Sequence, residues 1–349
     1  MSKSTTFTTI VRLILHVILI INCLHSSPTP PGLSENFYAE SCPEVFDIVS
    51  AGVALGTLTD IRNPASLLRV SFHDCWIGGC DASLSLDNST TFFSEKFAPP
   101  NNNSIRGFNV LDAIKETLET VCPQTVSCAD IITIAARDSA VLVGGKGWPV
   151  VLGRRDSLTS HFELASATNI SGIPNPFSNL STTFANFKLR NFSQAETITL
   201  SGAHTFGRAH CKTFTLRFND AQGINLNDTN VNPILKKGIL EFCTPDPVNT
   251  VVDLDVTTPN IFDNAYYKNL GYELGILRTD QILVSTPGSN ALVQFYSNEN
   301  EIFLSAFAQA MIKMQNLSPL TGTEGEIRIK CGEVNPPDSS SRTSSESSI

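Results

Sequence analysis

Apolar residues recur along most of this chain at helical spacing. Val45, Phe46, Val49 and Val53 fall on one helix face, and the preceding "SCPE" sets Ser41 and Glu44 at capping-box spacing, which predicts a first helix entered at Ser41. A second such spacing, Ser127 to Asp130, opens "CADIITIAARDSAVLV", which runs into Gly144 and Gly145 where a glycine C-cap belongs. Phe303, Phe307 and Met311 repeat every four residues and predict a helix buried along a stripe. "NPASLLRVSFHDCW" predicts another, starting near Pro64, a residue suited to a first helical turn. Strand-like alternation is confined to short pieces such as "WPVVL" ahead of the "GRRDS" turn, so the class is mainly α, with no internal repeat.

Length and charge then narrow the partners. At 349 residues the chain is long enough for one large domain or two closely packed lobes. A formal net charge of -9 and a pI of about 5.2, with no basic run to offset them, exclude nucleic acid and anionic lipid as natural partners.

The two ends read differently from the middle. Lys3 and Arg12 precede "LILHVILII", Leu13 to Ile21, with small and polar residues around Ser26 and Ser27, the pattern of a secretory signal over residues 1–27. An uncleaved anchor is the competing reading, but a spanning helix needs roughly 20 apolar residues, and this run is shorter and carries His16. Export also suits the cysteines. Of nine, Cys23 falls in the leader, and an even set is left: Cys42, Cys75, Cys80, Cys122, Cys128, Cys211, Cys243 and Cys331. Sequons at Asn88, Asn102, Asn169, Asn179, Asn191, Asn227 and Asn316 agree with it. Residues 333–349 form a Ser-rich tail with nothing to build a core, read as disordered.

The densest chemistry lies in "LLRVSFHDCWIGGCDASLSLD", Leu67 to Asp87. Arg69 and His73 stand four residues apart and share a helix face. A cation beside an imidazole is ordinarily unfavourable and makes sense if an anionic or polarisable ligand arrives between them; a partly exposed face with two basic residues is the alternative. Asp74 is turned about 100° from His73 and opens the run Asp74, Ile77, Gly79, Asp81, Ser83. Carboxylates, carbonyls and a hydroxyl on a tight loop are calcium ligands, and Cys75 with Cys80 could pin that loop. An acidic loop with a local disulfide is the alternative there, and zinc on His73, Cys75 and Cys80 is weaker because exported cysteines are more often oxidised.

That stretch resembles the distal helix of the secreted plant, or class III, haem peroxidases. The resemblance runs from about Leu33 to Cys331 through "RVSFHDC", "GCDASLSLD", "RGFNVLD", "CPQTVSCADI", "GRRDS", "LSGAHTFGRAHC", "TPNIFDNAYY" and "GTEGEIR", in family order. It implies a haem peroxidase fold over residues 28–332, with two helical lobes sandwiching one haem b and very little β structure. It implies His204 as the axial iron ligand, with Asp280 accepting a hydrogen bond from its other ring nitrogen. On the opposite haem face it implies His73 as acid and base toward hydrogen peroxide, Arg69 as the cation for developing charge, Asn101 as the partner of His73, and Phe72 as a distal aromatic.

The same resemblance implies two Ca2+ ions. The distal one falls to Asp74, Ile77, Gly79, Asp81 and Ser83, with Glu95 joining through water, and the proximal one to Thr205, Asp255, Thr258, Ile261 and Asp263. It pairs Cys42 with Cys122, Cys75 with Cys80, Cys128 with Cys331, and Cys211 with Cys243, and it puts Pro174 and Arg62 at the phenol-docking edge. Departures are Ser71 where a histidine is common, Leu254 where an aromatic often stacks on the proximal imidazole, Thr213 where an aromatic often flanks the substrate, and the larger aromatic Trp76. The expectation is a secreted monomeric enzyme of the wall or extracellular space, the vacuole left open by the tail, free of the membrane once the leader is removed. It would reduce hydrogen peroxide and oxidise small phenols in two one-electron steps. Two rivals stay open: a haem-binding sensor or store without turnover, against which the set Arg69, His73 and Asn101 argues, and a calcium-stabilised wall-binding protein with a vestigial haem site.

Overall fold

The computed structural model describes residues 29–218 and 231–336. The expected leader, the Asn227 sequon and the tail beyond residue 336 lie outside the described residues. Helix α1 (Val45–Thr59), α2 (Asn63–Trp76), α3 (Phe108–Val121) and α4 (Cys128–Leu142) pack on one another as a first lobe, with α2 and α4 in the most extensive contact. The chain then passes through α5 (Leu180–Lys188) and α6 (Gln194–Ser201). Helix α7 (Pro233–Cys243) covers a small satellite core of Phe214, Phe218, Ile239 and Ile276. In the second lobe α8 (Ala265–Gly271) packs on α9 (Pro287–Asn298), and both α9 and α10 (Asn300–Met314) pack on α6. Contact between α10 and α2 ties the lobes together. The strands named among the described residues are β1 (Arg208–His210) and β2 (Val251–Asp253), antiparallel with Arg208 opposite Asp253. The architecture is mainly α, as the periodicity predicts.

The predicted stripe on α10 is buried, with Phe303, Phe307 and Met311 almost without exposure. Helix α2 carries Pro64 in its first turn, and α4 stops just ahead of Gly144. Two expectations about helix starts need correction. Ser41 does not cap α1, which begins at Val45 after Glu44 with no side-chain cap. Pro43 has no N–H to offer, and Cys42 is held by its disulfide to Cys122 and by donating its N–H to the Tyr38 carbonyl, so the chain turns before it winds. At α4 the Ser127 side chain accepts from the Asp130 N–H, but the return arm of the box is missing. The Asp130 carboxylate instead accepts from the Tyr38 hydroxyl, the Gly153 and Arg154 N–H groups and the Arg154 guanidinium. "WPVVL" is likewise not a strand of a sheet: only Leu152 pairs, in a single bridge with Ser34.

The turn motifs build the scaffold. Asp156 caps α4 by accepting from the N–H groups of Cys128 and Ala129, where the helix end favours a negative charge, and also accepts from the Arg328 N–H. Fully buried Arg328 donates to the carbonyls of Ala82, Ser157 and Cys331, which pins the loop after α2. That loop leaves α2 through Gly79, whose φ is 135° and where a Cβ would stand 2.2 Å from the Ser318 carbonyl oxygen. Cys42–Cys122, Cys75–Cys80, Cys128–Cys331 and Cys211–Cys243 are disulfide-bonded.

Candidate active site

Helix α2 buries Leu67, Leu68 and Val70 against the first lobe and turns Arg69 and Phe72, both half-buried, to another side. His73 is buried at 3% exposure, and its Nδ1 lies 2.6 Å from the side-chain amide oxygen of Asn101, Oδ1. Asn101 is oriented by its own amide, which donates to the Glu95 carbonyl at 2.7 Å, so the oxygen must face the imidazole. Nδ1 is therefore the protonated nitrogen and Nε2 carries the lone pair. Burial, and then the charge of Arg69, hold His73 well below its ordinary range, opposed by the Asn101 contact. Arg69 donates to the Pro100 carbonyl at 2.9 Å and the Ser104 hydroxyl at 3.3 Å, and burial brings it down to about 10, still a cation at neutral pH. Phe72 packs edge-on to His73, ring centres 5.3 Å apart.

His204 sits in a short 3-10 turn, Gly202–Thr205, that directly continues α6. Its Nδ1 lies 2.8 Å from Asp280 Oδ1. Burial alone would lower the imidazole, but the charge and hydrogen bond of Asp280 outweigh it and the net shift is upward. Arg69 disfavours the protonated forms of both His73 and His204, so one cation on the first lobe is felt by imidazoles on both. The lobes close near this point, where a Cβ on Gly207 would come within 2.8 Å of the Ala65 methyl on α2. His204 keeps 36% of its side-chain surface accessible, and no hydrogen bond engages its Nε2 among the described residues.

The two expected calcium sets differ. Around the Cys75–Cys80 loop, Asp74 accepts from the Ala82 and Leu84 N–H groups, and Asp81 accepts from that of Ser83. The Asp81 N–H in turn goes to the Gly79 carbonyl, and Ile77 caps α2 by donating to the Asp74 carbonyl. The Ser83 hydroxyl and Glu95 Oε2 are buried with no hydrogen-bond partner. Burial and mutual repulsion push Asp74 well above the carboxylate range, and burial pushes Glu95 up to about 7. Orphaned oxygens and crowded carboxylates are what a hard cation relieves, so the residues fit one. In the second lobe the oxygens satisfy each other: Thr205 donates toward Asp255 and Asp263, and Thr258 donates to Asp263 at 3.1 Å. The Ile261 N–H closes that turn on the Thr258 carbonyl. Among the described residues no three His, Cys, Asp or Glu side chains cluster as a metal site, so ions here would draw on carbonyls and hydroxyls as well.

Comparison with known proteins settles the family. A family model described as "Peroxidase" matches residues 48–299. The chain is 48% identical over 326 residues to "Peroxidase 22" of Arabidopsis thaliana, covering 91% of this chain and 92% of that protein. It is 45% identical over 322 residues to "Peroxidase 4" of Vitis vinifera, covering 91% and 97%. This chain belongs to the peroxidase family. It is a plant-type peroxidase that uses hydrogen peroxide to oxidise a donor. The family implies haem, and the donor set fits one: an imidazole with Nδ1 fixed by a carboxylate and Nε2 unengaged, with a second, neutral imidazole under the influence of the same cation. No helix among the described residues is long and apolar enough to cross a membrane.

Of the two residues expected at the phenol-docking edge, Arg62 is occupied: its guanidinium grips Asp60 through Nε and Nη2, and Asp60 also binds Arg106. Pro174 is half-buried in a loop whose anchor no motif discloses. Trp76 shares that role with Asn186: its indole N–H donates to the Gly172 carbonyl at 3.2 Å, the Asn186 amide donates to the same carbonyl at 2.9 Å, and Arg190 lies 4.3 Å over the indole and donates to the Trp76 and Ser171 carbonyls. Leu254 packs on the satellite core, and the aromatic ring beside His204 is instead Tyr266. The Thr213 hydroxyl donates to the His210 carbonyl, and Ser71 lies 3.5 Å from the Gln315 amide.

Proposed function

We propose that in this peroxidase His204 would hold one haem b, that His73 and Arg69 would act on the peroxide, and that the enzyme oxidises small phenols in two one-electron steps. The observation that carries the reading is the contrast between a neutral, amide-held imidazole and a carboxylate-held imidazole around one cation. When bound, the haem supplies the redox-active iron that gives up two electrons to peroxide and regains them from donors.

The chain supplies the rest. The free Nε2 of His73 takes a proton from peroxide and returns it to the departing oxygen, with Asn101 holding the tautomer this needs. Arg69 stabilises the negative charge that develops as the O–O bond breaks. Phe72 keeps that face apolar and excludes water. Asp280 holds the Nδ1 proton of His204, which strengthens Nε2 as a donor to iron. Phenols dock at the haem edge beside Pro174 and Arg62.

We assign the distal Ca2+ to Asp74, Ile77, Gly79, Asp81 and Ser83, with Glu95 through water, and the proximal one to Thr205, Asp255, Thr258, Ile261 and Asp263. The protein acts as a secreted monomer of the wall or extracellular space, after loss of residues 1–27. In support, five sequon asparagines, Asn88, Asn102, Asn169, Asn179 and Asn191, are exposed. The test is an absorbance spectrum of purified protein before and after one equivalent of peroxide, followed by a simple phenol. A Soret band that shifts with peroxide and returns with phenol is expected. A band indifferent to peroxide would leave a haem store, and no band at all would leave a calcium-braced wall protein.

A further inference from the structure

Asp280 is shared. Its Oδ1 accepts from His204 Nδ1 at 2.8 Å and also from the Tyr266 hydroxyl at 3.0 Å, while Oδ2 accepts from the Leu277 N–H at 3.3 Å. Tyr266 lies on α8, is 2% exposed, and stands edge-on to the His204 ring with centres 6.3 Å apart. We propose that Tyr266 is a positioning residue that sets how strongly His204 donates to iron, by competing with the imidazole for one carboxylate oxygen. The inference rests on the assignment of His204 as the axial ligand.

The physical argument is short. A carboxylate that accepts a single strong hydrogen bond pulls the imidazole proton toward itself and makes the ring more like an anion. A second donor on the same oxygen draws off part of that charge, so less reaches the imidazole. A phenol is protonated at neutral pH, and the Tyr266 hydroxyl has the Asp280 carboxylate as its acceptor at 3.0 Å, so it donates throughout. A weaker donor to iron stabilises the ferric state less and raises the reduction potential. With Leu254 on the satellite core, Tyr266 is the aromatic in ring contact with the proximal imidazole among the described residues.

Tyr267 provides the control within the same helix. Its ring packs 4.9 Å from that of Tyr266 and is as deeply buried, but its hydroxyl donates to the Ile198 and Thr199 carbonyls and not to Asp280. Tyr266→Phe and Tyr267→Phe both keep the ring and delete one buried hydroxyl. The experiment measures, on the haem-loaded protein, the ferric/ferrous potential and the iron–histidine stretch of the ferrous form by resonance Raman. Tyr266→Phe should favour the ferric state by up to about tenfold, a fall of about 59 mV for one electron, and raise the stretch frequency. Tyr267→Phe should leave both where they were. Equal shifts in the two variants, or none in Tyr266→Phe, would overturn the proposal. If the unaltered protein shows no iron–histidine stretch, or His204→Ala keeps it, then the axial assignment itself has failed, an outcome read before either tyrosine variant is compared.

Discussion

His73 and His204 make nearly the same contact with opposite consequences. Each places Nδ1 within hydrogen-bond range of a side-chain oxygen, at 2.6 and 2.8 Å, and each is fixed from an element of its own lobe. The partner of His73 is a neutral amide, so burial and the charge of Arg69 prevail and the ring is held neutral. The partner of His204 is a carboxylate, and the ring is drawn toward the charged form despite burial. The charge of the partner, more than its distance, sets the two imidazoles apart, as the roles proposed for them require. The calcium sets differ too, since two distal oxygens, the Ser83 hydroxyl and Glu95 Oε2, have no hydrogen-bond partner, whereas the proximal hydroxyls of Thr205 and Thr258 donate to neighbouring carboxylates.

The sharpest way to break the comparison is to delete the neutral histidine. His73→Ala should keep the haem spectrum, because the proposed ligand is His204, yet slow the reaction with peroxide by roughly 10² to 10⁴, about 3 to 5.5 kcal/mol of barrier. Arg69→Leu should also slow it, and the double variant should lose less than the sum, because both groups act on one transition state. Stopped-flow absorbance after mixing with peroxide measures this. An unchanged rate in His73→Ala would reduce α2 to a structural helix.

Calcium removal tests the second contrast. Two ions, each present at about 100 times its Kd, contribute about 2.7 kcal/mol apiece, so exhaustive chelation should lower Tm by about 5 to 10 °C and reduce turnover. Glu95→Gln, which alters the orphaned distal oxygens, should blunt that response more than Thr258→Val. Unchanged Tm and turnover after chelation, with no calcium by elemental analysis, would remove the ions from the account.

A subtler change gives His73 the partner type of His204. In Asn101→Asp the new carboxylate favours the charged imidazole, so the pKa rises from its depressed value. The base is then protonated over a wider range, and the acid limb of the peroxide rate should move to higher pH. Every tenfold gain in the proton affinity of the imidazole should lower the rate below that limb about tenfold. A limb that stays in place, or moves to lower pH, would show that the identity of the partner does not set the proton.

How much the chain discloses of itself follows the range of the forces involved. The long helices announce themselves because burial of a stripe repeats every turn, as Phe303, Phe307 and Met311 do. Helix starts are less legible. Ser127 caps as its spacing predicts, but Asp130 is claimed by Tyr38, 92 residues away, and by Arg154, which no local pattern records. At the site, motifs locate His73, His204, Asn101 and Asp280, yet they do not disclose that Tyr266 shares Asp280 or that Trp76 holds Gly172 across 96 residues. Both the tyrosine and the tryptophan have bland local readings as core aromatics, and only their polar tips betray the second task.

The smallest expected effect concerns the residue lodged between the two working side chains of α2. Ser71 is fully buried and lies about 200° around the helix from both Arg69 and His73, so it faces away from their side. Its hydroxyl is at the limit of contact with the Gln315 amide, 3.5 Å, and that amide has a better acceptor in the Thr133 carbonyl at 3.0 Å. The other end of Gln315 is taken by the Trp148 indole N–H at 2.8 Å, so its orientation survives without Ser71. Ser71→Ala should therefore cost less than about 1 kcal/mol of stability and leave the peroxide rate within about twofold. Denaturant melts and stopped-flow traces on the same preparation would decide it. A tenfold loss of rate with stability intact would mean that the proton path reaches through the buried face of α2, and that the neutral histidine depends on more than its amide partner.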